Sequence, residues 1–244
     1  MAKIYTALGL MSGTSMDGID ASIIQSDGET NYKAIFNKYY KYNLDFFKKI
    51  SSLRDKINQP KDLINMLDEI KSIEREITLF HAQISNKIIE KSELDIDFIG
   101  FHGQTIFHDV KEKITKQLGD GNLLSQLTKK NVVYNFRQID LKNGGEGAPL
   151  TPIYHKLLVE LLEKENRLKT PIIILNIGGI ANITALNRTY NMTSSDIGPG
   201  NCLIDKWIRV NSDKNFDENG NIAKSGIIDK FILEQSLDNF YNNS

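Results

Sequence analysis

One cysteine, Cys202, among 244 residues leaves no partner for an intramolecular disulfide and excludes a cysteine-rich zinc site. That scarcity fits a reducing compartment. An excess of either charge is also missing: 30 Lys and Arg stand against 31 Asp and Glu, which argues against a generally basic nucleic-acid binder. No apolar run approaches the roughly 20 residues that a membrane span needs. The opening Met1 to Leu10 begins like a signal peptide, but Gly9 and the polar stretch Ser12 to Ser15 cut its apolar core short, so it reads as a buried first strand. Several catalytic signatures are absent too. There is no Gly-Lys-Ser/Thr after a four-residue gap, no G-x-G-x-x-G after a strand, and no G-x-S-x-G elbow. His102, His108 and His155 lack the spacing of a metal site. With 40% hydrophobic and 25% charged residues, a soluble, cytoplasmic globular protein is expected, with neither nucleic acid nor membrane as partner.

Within those bounds the chain is patterned as α/β. Ile4 to Leu10 and Ile19 to Gln25 are apolar and β-prone, separated by the small, polar Met11-Ser12-Gly13-Thr14-Ser15-Met16-Asp17-Gly18, which predicts a hairpin with a polar tip. Tyr32 to Tyr42 supplies a third strand. From Asp45 to Lys91 apolar residues recur at three- and four-residue steps, Leu63, Ile70, Ile73, Ile77, Ile84 and Ile88 among them, which predicts core-facing helices, with Pro60 at a helix start. Ile96 to Gly100 reads as a short buried strand ending in His102-Gly103-Gln104-Thr105, and Asn131 to Phe136 as another. A helix over Tyr154 to Glu165 leads to a second strand, Gly turn, strand unit: Pro171 to Asn176, Gly178-Gly179, then Ile180 to Leu186. Helices over Cys202 to Val210 and Ile227 to Phe240 close the pattern. With no low-complexity linker, the boundary between two lobes is placed in the Gly-rich stretch, giving 1–138 and 139–244.

Four segments carry candidate chemistry. In Gly13-Thr14-Ser15-Met16-Asp17-Gly18-Ile19-Asp20 the glycines let backbone N–H groups face an anion and the hydroxyls add donors. Asp17 and Asp20 are potential partners, direct or through water, for the Mg²⁺ that escorts a nucleotide. An ordinary hairpin turn accounts for the same residues. Gly178-Gly179 offers a second such tip, and two tips acting on one phosphate chain is the arrangement phosphoryl transfer needs. In Asp196-Ile197-Gly198-Pro199-Gly200-Asn201 the carboxylate just before a turn suits a general base, with an Asx-turn or cap as the alternative. His102-Gly103-Gln104-Thr105 offers the mixed donors and acceptors that sugar hydroxyls need.

Taken together with Gly144-Gly145-Glu146-Gly147-Ala148-Pro149-Leu150, these segments resemble the anhydro-N-acetylmuramic acid kinase family of the actin/sugar kinase/heat-shock ATPase superfamily. Five motifs occur in order from residue 9 to residue 201. The resemblance implies a two-lobed, actin-like ATPase (ribonuclease H-like) α/β fold. It implies ATP on Gly13 to Asp20 with Gly178 and Gly179, sugar on His102 to Thr105 and Arg137, Asp196 as the base, and a homodimer. The implied reaction opens 1,6-anhydro-N-acetylmuramic acid with water and phosphorylates O6, in peptidoglycan recycling. Family members are expected to continue past residue 244, so the second lobe is expected to be incomplete here. A binding-only remnant and a sugar kinase of different specificity are the alternatives that follow. Asn135 stands where the family has Asp before Phe136-Arg137, and Ile197 where a small residue, commonly Thr, is expected.

Overall fold

A computed structural model of the chain describes residues 2–241. The predicted hairpin is present as β1 (Tyr5–Ser12) and β2 (Gly18–Ser26), paired antiparallel with Leu8 opposite Ile23 and Leu10 opposite Ala21. β3 (Tyr32–Lys41) extends it on the far side of β2. Residues two apart on a strand share a face, so Leu8 and Leu10 point inward with Ile19, Ala21 and Ile23, while Met11 and Asp20 lie on the opposite, open side.

The helical stretch divides into α1 (Leu44–Lys56), α2 (Pro60–Asn65) and α3 (Leu67–Ser92). Asn43 caps α1, its side-chain oxygen accepting from Phe46 N at 2.8 Å, and Pro60 opens α2 where its missing N–H is harmless. The 26-residue α3 buries Ile70, Ile73, Ile77, Ile84 and Ile88, the expected stripe. Each such side chain contributes about 1.5–3 kcal/mol by leaving water. They pack in one core with Ile50 and Leu53 of α1 and the inward residues of the sheet.

β4 differs from its sequence reading. Rather than ending near Gly100 it runs from Phe98 to Asp109, through the polar motif, and β5 (Ile114–Leu118) and α4 (Gly121–Thr128), neither of them predicted, follow it. The reason lies at Gly103. Its φ of +72° puts a bulge in the strand, and a Cβ there would collide with the Leu118 carbonyl. Before the bulge β4 pairs in parallel with β1 and with β6 (Asn131–Tyr134); beyond it, β4 pairs antiparallel with β5. The sheet order is β3-β2-β1-β4-β5, with β6 also on β4. Long polar side chains of α3 hold the new segment: Glu74 accepts from Lys116 Nζ at 2.6 Å and Gly119 N at 3.1 Å, and Thr78 Oγ1 accepts from Asp120 N at 3.0 Å.

α5 (Phe136–Lys142) and α6 (Pro152–Lys164) lead into a three-stranded sheet of β7 (Ile172–Ile177), β8 (Ile180–Leu186) and β9 (Met192–Pro199), in that order. α7 (Cys202–Asn211), α8 (Asn221–Ser225) and α9 (Lys230–Tyr241) follow. The chain forms two compact units: one runs through Asn176 and includes Asn182–Ile197, the other comprises Ile177–Ala181 and the chain from Gly198 on. In the second unit α7 buries Ile208 while Trp207 and Val210 are exposed.

One buried polar group makes the first unit sensitive to acid. His81 on α3 is fully buried, its ring 4.9 Å from that of Phe101. Nδ1 donates to the Ile77 carbonyl at 2.8 Å, and Nε2 has no partner among the described residues. Burial first, then the nearby His102, push its pKa down to about 4. The unfolded chain, with an ordinary histidine near 6.5, therefore binds more protons between the two values. Stability held above pH 6.5 is lost as pH falls toward 4, and His102, also pushed down to about 4, adds to the loss. Denaturant midpoints should fall between pH 7 and pH 4.5, with a shallower slope in His81→Leu. An unchanged slope in that variant would show that His81 contributes nothing.

Candidate active site

The tip of the β1–β2 hairpin is held from beneath by a buried polar group. Ser12 Oγ lies 2.7 Å from Gln104 Oε1, 2.9 Å from the Gly18 carbonyl and 3.2 Å from the Tyr42 hydroxyl. With one proton to give, Ser12 shares it between the two carbonyls and accepts from Tyr42. Gln104 Nε2 donates to the Gly13 carbonyl at 3.0 Å and to that of Thr105 at 3.2 Å. Both ends of the turn are thereby fastened to β4. Inside the turn Met16 N donates to the Gly13 carbonyl at 3.1 Å, with Met16 at φ +58°. Met16 and Ile19 are buried, so of these two only the backbone is available to a ligand, whereas Thr14 and Ser15 are exposed.

Two carboxylates sit at this tip. Asp17 accepts from Ser15 Oγ at 2.5 Å, and the Tyr39 hydroxyl donates to it as well. Burial, then the Asp17 charge, raises the pKa of Tyr39. Asp20, paired with Met11 on one side and Tyr39 on the other, has its pKa raised by burial and then by the neighbouring charge of Asp17. Two carboxylates that repel each other beside a turn of backbone amides fit a Mg²⁺–nucleotide site, since Mg²⁺ is ordinarily held by one or two carboxylates plus phosphate oxygens. Among the described residues no three His, Cys, Asp or Glu side chains gather into an all-protein metal cage. Asp20→Asn removes the repulsion, so the variant without metal should melt no lower than wild type, while any rise in melting temperature with Mg-ATP should shrink. A variant that keeps the full Mg-ATP shift would remove Asp20 from the site.

A second group forms on the opposite side of the bulge. In a regular strand His102 and Gln104 would share a face, but the Gly103 bulge separates them, Gln104 turning to Ser12 and His102 to α5. His102 Nδ1 donates to the Gly103 carbonyl at 2.7 Å, and Nε2 accepts from Arg137 Nε at 2.8 Å. Both ring nitrogens are thus engaged, and the ring is the neutral Nδ1–H tautomer. Burial and then the Arg137 charge push its pKa down to about 4. Arg137 Nη1 donates to the Gly147 carbonyl at 2.7 Å. The Gly-rich loop is further fixed by Asp140, whose carboxylate accepts from Gly147 N at 2.7 Å and whose carbonyl accepts from Gly145 N at 2.9 Å. Asp140 is a residue that sequence reasoning missed; its position seven residues before Gly147, the third loop glycine, was the available signal. Asn135, just before α5, has φ +62°. Asn tolerates that left-handed conformation better than most residues, which accounts structurally for its presence there.

Asp196 does not stand directly before a turn, since β9 continues three residues beyond it to Pro199. It lies within β9, exposed, and its charge acts weakly on His108 of β4. The pKa of His108 is lowered by burial and by Arg137, with the Glu146 backbone and then the carboxylates of Asp109 and Asp196 opposing. In the second unit the two Gly motifs meet. Gly200 N donates to the Gly179 carbonyl at 3.0 Å and Asn201 N to that of Gly178 at 2.7 Å. A Cβ on Gly200 would collide with the Gly178 carbonyl, which is why glycine stands there.

An antiparallel β1–β3 meander, continued in parallel through β4 and β6 and carrying a polar hairpin tip, is the sheet arrangement of the ribonuclease H-like fold. The molecule is therefore an α/β protein of the ribonuclease H-like class. Within that class, the chain belongs to the anhydro-N-acetylmuramic acid kinase family, whose sequence pattern matches residues 5–244. It is 55% identical over 244 residues to the anhydro-N-acetylmuramic acid kinase of Pelagibacter ubique, covering 99% of this chain and 64% of that relative. Identity to the enzyme of the same name from Agrobacterium fabrum is 38% over 238 residues, with 93% and 61% covered. The chain thus spans less than two thirds of the length of these curated relatives. Among solved structures, the type II variant of the Aquifex aeolicus Ppx/GppA phosphatase superposes with a TM-score of 0.39 at 9% identity, covering 84% of this chain and 55% of that one. Among the described residues no helix is long and apolar enough to cross a membrane.

Proposed function

We propose that the chain acts as an ATP-dependent kinase that opens 1,6-anhydro-N-acetylmuramic acid with water and delivers a phosphoryl group to O6, yielding N-acetylmuramic acid 6-phosphate in cytoplasmic cell-wall recycling. The observation that carries this reading is the buried Ser12–Gln104–Gly13 tie, which joins two of the family's motifs, 9–20 and 102–105, at one point of the fold. Residues 1–138 form the first lobe in this reading, 139–244 belong to the second, and two copies associate as a homodimer.

The roles follow from the chemistry of the residues. Backbone amides and hydroxyls of Gly13 to Asp20, with Gly178 and Gly179, hold the nucleotide phosphates. Asp17 and Asp20 would hold Mg²⁺, which when bound neutralises charge on the transferred group. The segment His102 to Thr105 and Arg137 form the sugar site, in which Arg137 offers free donors while His102 and Gln104, whose polar atoms are spent on Gly103, Arg137, Ser12 and Gly13, hold the segment in place. The Asp196 carboxylate takes a proton from water as the water oxygen bonds to C1. The C1–O6 bond breaks with its electron pair passing to O6, which bonds to the γ-phosphorus as ADP leaves. The test is to incubate the purified chain with Mg-ATP and the anhydro-sugar in ¹⁸O-water. A phosphorylated product with ¹⁸O at C1 is expected by mass spectrometry. Product without ¹⁸O at C1 would overturn the hydrolytic opening, and ligand-induced stabilisation without turnover would reduce the reading to binding alone.

A further inference from the structure

Arg137 is the one strongly cationic group in the first unit's site whose surroundings lack an answering charge. Its guanidinium is half-buried, and burial lowers even its pKa. Among the described residues no carboxylate lies within 4.0 Å of it. Of its five N–H donors, Nε is spent on His102 Nε2 and one on Nη1 goes to the Gly147 carbonyl. The remaining three have no partner among the described residues. The two histidines beside it, His102 and His108, both have pKa values lowered by burial and then by its charge, so the guanidinium is surrounded by neutral rings and a carbonyl. The unpartnered Nη2 is open to solvent rather than sealed in, so an incoming anion can reach it and take up its donors.

The orientation of the group also has a stated cause. The His102 tautomer is fixed by the Gly103 carbonyl, and the Gly147 carbonyl is fixed through Gly147 N on Asp140. Two acceptors, each held in turn by a second bond, therefore aim the planar fork. A planar fork with paired N–H groups matches the two oxygens of a carboxylate, whereas an ammonium would offer only a point charge. Phosphate chemistry is assigned to the hairpin tip, which is fastened through Gln104 on the other side of the Gly103 bulge.

We propose that Arg137 is the receptor for the carboxylate of the sugar acid, and so the residue that sets preference for an acidic amino sugar over its neutral counterpart. His102 and Asp140 are positioning residues for it. This inference rests on the sugar-kinase reading above.

The test is calorimetric titration of the full chain with three sugars: 1,6-anhydro-N-acetylmuramic acid, its methyl ester, and 1,6-anhydro-N-acetylglucosamine, which lacks the lactyl group. Wild type should bind the acid at least about tenfold more tightly than either neutral sugar, the scale of one charge-assisted pair. Arg137→Gln should bind all three within about twofold. Equal affinities in wild type, or a tenfold preference that survives in Arg137→Gln, would overturn the assignment while leaving the sugar-kinase reading in place. If none of the three binds wild type, that reading fails and this inference with it. Should Arg137→Gln not fold, Arg137→Lys serves instead: it keeps the charge without the fork, and full retention of the preference there overturns the proposal.

Discussion

Asp196→Asn is expected to fold like the wild type and to turn over the anhydro-sugar roughly 10²- to 10⁴-fold more slowly, the contribution of one well-placed general base. Asp196 is exposed on β9, and substitutions at exposed positions away from special contacts change stability by only about 0.5 kcal/mol. Asn keeps the shape of the side chain but cannot accept the proton that, in the proposed reaction, water loses as it bonds to C1. The loss should fall on kcat, with KM for both substrates changed little, because the proton moves only in the transition state. Steady-state kinetics on the chain, paired with a melting curve, checks this. A variant within a few fold of wild type in kcat would remove Asp196 from the chemistry.

The second large effect is expected at Gln104. The residue is fully buried, and its amide bonds Ser12 Oγ, the Gly13 carbonyl and the Thr105 carbonyl. Gln104→Ala leaves those groups short of a partner in a site that water does not readily reach. Each buried group left unsatisfied costs about 1–3 kcal/mol, so a loss on the order of 3 kcal/mol is expected in chemical denaturation. The same substitution releases one end of the hairpin turn from β4. Mg-ATP should then stabilise the variant much less than it stabilises wild type, if the tip holds phosphates as proposed. Gln104→Glu separates the two effects: one oxygen can still accept from Ser12, but the donor to Gly13 is lost. Equal stability of wild type and Gln104→Ala would show that the tie contributes nothing to the fold.

Local pattern was enough for the elements whose cause is local. The alternation around Leu8, Leu10, Ile19 and Ile23 predicted the hairpin, and the three- and four-residue steps from Ile70 to Ile88 predicted α3. Both signals arise because one face of the element must leave water. Pro60 and the Gly178-Gly179 turn were legible for a similar reason, since each constrains its own backbone. The motif at 102–105 was visible as chemistry but misread as the end of a strand. Its continuation to Asp109 depends on β5, the next strand, which folds back on it across a four-residue turn that the pattern did not reveal.

The candidate site divides in the same way. Residue types in order determined the family, the α/β class and the candidate residues, because Gly, Asp, Gln and Arg each carry their chemistry wherever they lie. Which of them act together was decided by tertiary structure. Gln104 meets Ser12 across 92 positions of sequence and His102 meets Arg137 across 35, and no periodicity encodes such distances. Asp140 was overlooked because a carboxylate anchoring a loop differs from a solvated one only by what folds against it. The opposed directions of His102 and Gln104 follow from one positive φ at Gly103, where the Leu118 carbonyl, in a strand the pattern did not reveal, leaves no room for a side chain.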